Sequence, residues 1–323
     1  MDAKEYAKYR IDIERTFANV SQNYRKGGYI LMRYDEAFER LTPKQSKTGE
    51  ILLVRGLPPE FVSLGVDESE NEYYEQRDDI VHVTSTLSYC PRRKILEEKV
   101  VKIINPAYEW SRKLGAFLHE QIEKMGEQPT LVEEKFVYEV QKDGVKFFVR
   151  GKIDMFYEIL EITGYEKPIT LKNAIVDLKI TDADPLRYGV KRQYISQLTH
   201  YKFIIEETTK YRVDNIVLRH IKRSKNGEAI AIFTFDEDVA REYDFVTFLE
   251  YDKEQVRRVI EENAYEIVRH RLDGTLPEHP RDETECSWCP ARVFCEDLRD
   301  NNITDVDEAK KFFFEKHLKV YGA

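Results

Sequence analysis

The cysteines of this 323-residue chain constrain its fold more than any other feature. There are four, and the last three, Cys286, Cys289 and Cys295, follow a C-x2-C-x5-C pattern almost two hundred residues after Cys90. The N-terminal residues lack the apolar core of a secretory signal, so we expect a cytoplasmic protein, in which disulfides are the poorer explanation. Four thiolates complete one tetrahedral zinc site or one iron–sulfur site. The pattern therefore predicts a single metal centre that joins distant parts of the chain.

Composition and charge exclude several classes of protein. Hydrophobic residues make up 41% of the chain and charged residues 34%, which excludes a wholly disordered protein. No run approaches the roughly 18 apolar residues of a membrane span. The formal net charge of −9 argues against a protein that coats nucleic acid through its overall charge. Residues 185–225 differ, because they hold ten Lys or Arg and only three acidic residues.

Hydrophobic periodicity predicts a mixed α/β chain that follows an acidic linker or surface loop at residues 66–79. Helices are predicted over residues 106–126, from Pro185 to about Glu207, over 237–272 and over 305–320. Strands are predicted at Ile51–Val54, 134–140, 145–159, 174–180, 214–223 and 228–236, with hairpin turns at QKDG and SKNG. The run at 174–180 is short and apolar, as a buried strand should be.

One acid–Lys pair lies inside this apolar run. Asp177 and Lys179 are two residues apart, so on a strand their side chains project from the same face. A hard divalent cation prefers oxygen ligands, and a lysine beside it can orient or help deprotonate a water molecule. The alternative is an exposed ion pair, although a buried unpaired carboxylate would be costly in so apolar a strand. Asp154, on a neighbouring β-run, would add a second carboxylate unless it only caps a hairpin edge.

Three further polar residues lie on predicted helices. His119 is close to the apolar side of the helix at 106–126, where a lone histidine is more often structural than functional. Gln197 and Tyr201 are four residues apart on the helix after the Asp177 strand, so they share one face. The alternative for that pair is simple packing on the sheet. Each signal is weak alone, and the order of the signals along the chain is more informative.

The chain carries six motifs in a fixed order: Cys90, His119, Asp154, Asp177-x-Lys179, Gln197-x3-Tyr201 and the C-terminal cysteines. This order resembles the RecB-like PD-(D/E)XK nucleases that carry an iron–sulfur cluster, and within them it is most similar to the CRISPR-associated exonuclease family, over about residues 84–300. The resemblance implies an α/β fold, a PD-(D/E)XK restriction-endonuclease-like core with a mixed central sheet flanked by helices. The implied parts are an N-terminal extension of unknown role (1–83), the RecB-like nuclease core (84–272), and an iron–sulfur segment with a C-terminal helix (273–323).

The resemblance also assigns roles to residues. The implied ligands of a Mg²⁺ or Mn²⁺ ion are His119, Asp154, Asp177 and the backbone carbonyl of Leu178 or Ile180. The implied catalytic set is Asp154, Asp177, Lys179, Gln197 and Tyr201, in which Lys179 positions and activates the attacking water. The four cysteines would ligate a [4Fe–4S] cluster, with zinc as the alternative. The family's third motif often has Glu where this chain has Asp177, which bears on metal preference and not on the reaction.

The local excess of basic residues agrees with a nucleic-acid substrate, although such a run can also be only a solvated face. The residues expected to contact DNA are Arg92, Arg93, Arg187, Lys191, Arg192, Lys222 and Arg223. The implied activity is that of a metal-dependent DNA exonuclease that acts on single-stranded DNA or DNA ends. In CRISPR adaptation, a part of antiviral defence, it would trim DNA and partner the integrase. The alternatives are a repair, recombination or virus-encoded nuclease of the same family, a DNA-binding protein that no longer cleaves, and a zinc-clasped RNA-binding module.

Overall fold

The computed structural model describes residues 29–31, 50–54, 77–87, 90–104, 129–163, 168–180, 189–221, 228–278, 286, 289 and 291–318. The chain divides into two compact units. The first, which contains all four cysteines and is called the cysteine unit here, comprises Met1–Asp78, Tyr89–Leu114 and Arg269–Ala323. The second, called the sheet unit, comprises Asp79–Ser88 and Gly115–Val268.

Strands and helices alternate along the described residues. The strands are β1 (Tyr29–Leu31), β2 (Glu50–Val54), β3 (Ile80–His82), β4 (Val101–Ile104), β5 (Leu131–Val132), β6 (Lys135–Lys142), β7 (Val145–Lys152), β8 (Met155–Ile162), β9 (Ile169–Ile180), β10 (Asn215–Ile221), β11 (Glu228–Thr234) and β12 (Val246–Phe248). The helices are α1 (Val83–Thr86), α2 (Pro91–Lys99), α3 (Arg192–Thr208), α4 (Glu237–Glu242), α5 (Lys253–Leu272), α6 (Arg292–Asp300) and α7 (Val306–Phe312), which a π-helical turn at Phe313–Leu318 continues.

A six-stranded mixed sheet with flanking helices forms the centre of the sheet unit, in the order β12-β11-β10-β9-β8-β5. β9 runs antiparallel to β8 and parallel to β10, which confirms the predicted fold class, and residues 174–178 of this strand are buried, as predicted. In this half of β9, Val176 and Leu178 belong to the apolar core. Because side chains alternate along a strand, Asp177 and Lys179 project from the opposite face of the sheet.

A three-stranded sheet with the order β3-β7-β6 completes the sheet unit. β6 and β7 form the hairpin that the QKDG segment predicts. Asp143 and Gly144 both have positive φ angles, 49° and 80°, as a two-residue type I′ turn requires. The second predicted hairpin is also present, since β10 and β11 pair antiparallel. Sequence signals for local turns thus reproduce both hairpins.

The β-run predicted over residues 145–159 is two strands rather than one. β7 ends at Lys152 in the three-stranded sheet, and β8 begins at Met155 in the six-stranded sheet. Ile153 is buried at the crossing, so the apolar character of the run continues through the change of sheet. Hydrophobic periodicity alone therefore cannot show where one sheet ends and the next begins. The correction matters because Asp154 lies in this crossing.

Two predicted helices have wrong bounds. α3 begins at Arg192 and not at Pro185, since residues 189–191 are not helical. The helix predicted over residues 237–272 is α4 and α5, with β12 between them paired to β11. Asp236 accepts a hydrogen bond from the backbone of Asp238 at the start of α4, and Asp252 does the same for Gln255 at the start of α5. Two N-cap signals thus mark two helix starts.

Two further predicted elements are present, and two other predicted segments lie wholly or mostly outside the described residues. β2 agrees with the strand predicted at Ile51–Val54, and α7 with its π-helical turn agrees with the helix predicted over 305–320. The helix at 106–126 and most of the acidic stretch at 66–79 lie outside the described residues. No helix in the described part of the chain is long and apolar enough to cross a membrane.

Buried arginines connect distant segments inside the cysteine unit, where β1, β2 and β4 form a small sheet. Arg271 makes a bidentate ion pair with Glu98 of α2, at 2.8 and 2.9 Å. Arg92 donates hydrogen bonds to the carbonyl oxygens of Pro277 (2.8 Å) and Ile303 (3.3 Å). Charged groups that are buried are stable only when they are paired in this way.

Candidate active site

The acid–Lys pair lies at the centre of the sheet unit, on β9. Asp177 is buried, with 4% of its surface exposed, and its Oδ2 atom lies 2.5 Å from the Nζ atom of Lys179. The Lys179 side chain is 19% exposed. The ammonium therefore offsets the charge of a carboxylate that would be costly to bury alone. The pair is thus largely buried, unlike the exposed ion pair that was the alternative interpretation of the sequence.

Asp154 reaches the same strand from the crossing between β7 and β8. The pairing of β8 with β9 begins at Met155, opposite Val176. Beyond that point the Asp154 Oδ2 atom accepts a hydrogen bond from the backbone N–H of Leu178, at 2.9 Å. The Asp154 carboxylate thus takes the place of the next strand residue as partner of the β9 backbone. This contact brings the second acid next to the Asp177-x-Lys179 segment.

Gln197 and Tyr201 lie on one face of α3 and contact each other. The Nε2 atom of Gln197 donates a hydrogen bond to the Tyr201 hydroxyl, at 3.1 Å. Burial raises the pKa of Tyr201 to about 12, and the negative charges of Asp177 and Asp154 also raise it. Hydrogen bonds from Gln197 and from a backbone group act in the opposite direction. Tyr201 is therefore neutral at neutral pH and can donate a hydrogen bond near both carboxylates.

Three further residues at this site escape the sequence analysis. The ring centroid of Tyr194 lies 4.9 Å from the Nζ atom of Lys179. His220 is the register partner of Lys179 across the parallel pairing of β9 and β10. A Cβ atom on Gly151 would lie 3.0 Å from the ring of Tyr201, so this close approach favours glycine. Of these three residues, only Tyr194 has a signal in the sequence. It lies seven residues before Tyr201, a helical spacing that places both on one face of α3.

The described residues that could hold a hard cation here are Asp154 and Asp177, with the main-chain carbonyl of Leu178 or Ile180. Such oxygen donors are the ligands that Mg²⁺ and Mn²⁺ prefer, so the donor set fits the metal that the sequence predicts. His119, the remaining predicted ligand, lies outside the described residues. Within the described ranges, no group of three or more His, Cys, Asp or Glu side chains is arranged to hold a metal ion.

The residues expected to contact DNA have different surroundings. Lys191 and Arg192 are exposed at the N-terminal end of α3. Arg92, in contrast, is 3% exposed, and its two carbonyl contacts hold it inside the cysteine unit. Arg93 forms an ion pair with Glu97, at 2.7 Å. Arg187, Lys222 and Arg223 lie outside the described residues.

One cation of the basic stretch at residues 185–225, Lys202, is buried, whereas Lys191, Arg192, Lys210 and Arg212 are exposed. The Nζ atom of Lys202 is buried and contacts Glu206 and the carbonyl of Val213, both at 2.6 Å. It also lies over the rings of Phe235 and Tyr251. Lys202 is a structural residue whose charge is not available to a ligand.

All four cysteines line one cavity in the cysteine unit, together with Arg93, Leu96, Ala291 and Arg292. None of these four described cysteines forms a disulfide, and Cys90 and Cys295 are buried. The Cys90 Sγ atom accepts a hydrogen bond from the backbone N–H of Arg93 at the start of α2. Burial, with a smaller contribution from the other cysteines, raises the pKa of Cys90 to about 12. The shared cavity agrees with one site for all four thiols, although their arrangement is not that of a formed metal centre.

A family model decides which proteins this chain resembles. The model, described as the PD-(D/E)XK nuclease superfamily, matches residues 75–296, more than half of the chain. The protein belongs to the PD-(D/E)XK nuclease superfamily. The matched range includes every candidate active-site residue and all four cysteines. As a PD-(D/E)XK protein it is assigned to the nucleases, which hydrolyse phosphodiester bonds and generally use Mg²⁺ or Mn²⁺.

Comparison with whole proteins adds less. No curated protein matches this chain. A solved structure titled "Crystal structure of SSO0001" is similar to this chain, with 16% sequence identity and a TM-score of 0.43. That similarity covers 69% of this chain and 89% of the other. The assignment to the PD-(D/E)XK superfamily therefore rests on the family model.

Proposed function

We propose that this protein is a Mg²⁺- or Mn²⁺-dependent deoxyribonuclease that digests DNA with single-stranded character from an end. The observation that carries the proposal is the meeting of Asp177, Lys179 and Asp154 on β9, inside a PD-(D/E)XK domain. A buried carboxylate beside an ammonium, with a second carboxylate bonded to the backbone of the same strand, is unusual in an apolar sheet. A protein that only binds DNA would not need this arrangement.

Each side chain has a role in this proposal. Asp154 and Asp177 hold the metal ion, with His119 and the backbone carbonyl of Leu178 or Ile180. A bound Mg²⁺ or Mn²⁺ supplies Lewis-acid stabilisation of the negative charge that develops on the phosphate. Lys179 donates a hydrogen bond that positions the attacking water and favours loss of its proton.

The α3 residues complete the proposed site from the other side. Tyr201 is neutral and hydrogen-bonded to Gln197, so it has one fixed orientation near the carboxylates. A preorganised donor of this kind stabilises charge without reorganisation during the reaction. Gln197 and Tyr201 are therefore expected to steady the active site and the DNA strand.

The substrate, partner and cluster follow from the same family resemblance. The proposed physiological role is the trimming of DNA before integration in CRISPR adaptation, with the integrase as protein partner. A [4Fe–4S] cluster is proposed at Cys90, Cys286, Cys289 and Cys295, and the shared cavity of the four thiols supports it. The family also includes repair and viral nucleases, and the identity of the neighbouring genes separates these roles.

A cleavage assay with matched substrates tests the proposed activity. We expect the anaerobically purified protein to shorten end-labelled linear single-stranded DNA in the presence of Mg²⁺ or Mn²⁺, and to be inactive in EDTA. Circular single-stranded DNA of the same sequence should resist digestion, because it has no end. Rapid cleavage of the circle would contradict the exonuclease proposal, and inactivity on every DNA with both metals would contradict the nuclease proposal.

Reversal of the exposed charges at the start of α3 should weaken DNA binding. Because both cations lie at the positive end of the helix dipole, they add to a local field that attracts phosphate. For Lys191→Glu/Arg192→Glu, the slope of log affinity against log salt should fall by up to about 0.7 per lost phosphate contact. Folding should be unaffected, since acidic residues are favourable at a helix N-terminus.

Exposed cations elsewhere in the sheet unit offer a matched control. Lys172 and Lys210 are also exposed, so Lys172→Glu/Lys210→Glu changes the net charge of the protein equally. We expect the control variant to keep the salt slope of the unmodified protein, measured by fluorescence anisotropy. Equal slopes for all three proteins would mean that the start of α3 does not contact DNA.

A further inference from the structure

Lys179 has a second neighbour besides Asp177. Its Nζ atom lies 4.9 Å from the ring centroid of Tyr194, within the range of a cation–π contact. Tyr194 lies in the first turn of α3 and is partly exposed. The exposed Lys191 also contacts this ring, with its Nζ atom 5.7 Å from the centroid. The Lys179 ammonium also contacts the buried carboxylate of Asp177.

His220 supports this ring from the neighbouring strand. Its ring centroid lies 6.3 Å from that of Tyr194, and it is 3% exposed. Neither ring nitrogen of His220 has a hydrogen-bond partner among the described residues. Burial and the Lys179 charge lower the pKa of His220, although Asp177 opposes the shift. His220 therefore gives the Tyr194 ring a buried packing neighbour on β10.

We propose that Tyr194 is a positioning residue for Lys179, whose ammonium is held between the Tyr194 ring and the Asp177 carboxylate, with His220 as the packing support of that ring. A four-carbon side chain has many rotamers, and a partly exposed lysine would otherwise leave the site often. The ring face removes this freedom without a hydrogen bond, so all the N–H groups of the ammonium stay available to Asp177 and to the water. The proposal rests on the role proposed above for Lys179.

The ring and the hydroxyl of Tyr194 can be tested separately. Tyr194→Leu removes the ring, and Tyr194→Phe restores it without the hydroxyl. We expect Tyr194→Leu to lower kcat by between about 10-fold and about 100-fold, because a displacement near 1 Å can cost about 10²-fold in rate. KM for DNA and the melting temperature should change little. Tyr194→Phe should recover most of the lost rate, which a role of the hydroxyl would not produce. A role in helix packing alone would instead lower the melting temperature of Tyr194→Leu.

A second measurement does not depend on nuclease activity. Acylation of lysines by an amine-reactive ester, quantified by mass spectrometry, reports how freely each ammonium moves. Relative to Lys146, whose side chain is 55% exposed, Lys179 should react several-fold faster in Tyr194→Leu and at the original rate in Tyr194→Phe. Tyr211→Leu is the matched control, because Lys210 lies over the Tyr211 ring at 5.9 Å, away from Lys179. It should leave the acylation of Lys179 unchanged.

The two measurements separate this proposal from the proposed function. If the unmodified protein cuts no DNA, the nuclease proposal fails, and the acylation rates still decide whether Tyr194 holds Lys179. Unchanged acylation of Lys179 in Tyr194→Leu would overturn the positioning role, as would a Tyr194→Phe variant as slow in cleavage as Tyr194→Leu.

Discussion

Asp177→Asn and Lys179→Met should each stop DNA cleavage, but at different steps. Asp177 is proposed to hold the metal directly, so Asp177→Asn should lose Mn²⁺ binding and reduce cleavage to background. Lys179 is proposed to act on the water, so Lys179→Met should slow the chemical step by about 10²–10⁴-fold. The 2.5 Å contact between Asp177 and Lys179 also predicts the direction in which the Mn²⁺ affinity of Lys179→Met changes. Loss of the ammonium leaves the carboxylate without a counter-charge, so Lys179→Met should bind Mn²⁺ at least as tightly as the unmodified protein.

The measurements are Mn²⁺ binding by electron paramagnetic resonance, DNA affinity in Ca²⁺, and single-turnover cleavage. His119→Ala is expected to lie between the other two variants, with part of its activity restored by high Mn²⁺, because one ligand of several is removed. Cleavage at the unmodified rate by all three variants would place the active site elsewhere. Loss of Mn²⁺ binding in Lys179→Met would contradict the separate roles.

Stability must be separated from chemistry, because removal of one member of a buried ion pair typically costs about 3–5 kcal/mol. The double variant Asp177→Asn/Lys179→Met removes both charges and should regain part of the melting temperature while it stays inactive. Asp214→Asn is a matched control at the residue before β10, since Asp214 accepts a hydrogen bond from Asn173 (2.7 Å) and pairs with Arg212 (2.5 Å). This variant should cleave DNA normally.

Local periodicity predicts the parts of this site that lie on one element. Alternation along a strand places Asp177 and Lys179 on one face, and helical spacing places Gln197 beside Tyr201. Both relations depend only on the geometry of a single strand or helix. The same holds for the β6–β7 hairpin, whose turn is determined by Asp143 and Gly144.

Contacts between different strands and helices cannot be predicted from the periodicity of one element. Lys202 and Arg92 appear in the sequence as parts of basic stretches, yet both are buried. Arg92 donates hydrogen bonds to carbonyl oxygens far along the chain. Lys202 pairs with Glu206 one helical turn away and lies over the rings of Phe235 and Tyr251. The contact of Tyr194 with Lys179 and the pairing of His220 with β9 depend on how α3 and β10 pack. The break at Asp154 depends on a change of sheet that leaves the hydrophobic pattern intact. Tertiary packing, and not propensity, decides each of these cases.

Cys90→Ala should destabilise the cysteine unit about as much as Cys289→Ala, although the two cysteines are far apart in sequence. Both thiols line the same cavity, and burial keeps Cys90 protonated in the absence of a metal. Bound metal or a cluster would deprotonate the thiols, and its binding free energy would become folding free energy. Loss of one of four ligands should lower the melting temperature by roughly 10 °C, if about 4 kcal/mol is lost. The protein as purified should be brown, as iron–sulfur proteins are, and both variants should be pale.

Two controls decide whether the effect belongs to the metal site. Leu96 is fully buried and lines the same cavity, so Leu96→Ala should cost about 2–5 kcal/mol through lost packing while the iron content is unchanged. After chelation, Cys90→Ala should have the same melting temperature as the metal-free unmodified protein, because Cys90 then has no metal to bind in either case. A colourless protein that contains one equivalent of zinc would show that the four cysteines bind zinc and not an iron–sulfur cluster. Full metal content in Cys90→Ala would show that Cys90 is not a ligand, and the centre would then belong to the three C-terminal cysteines alone.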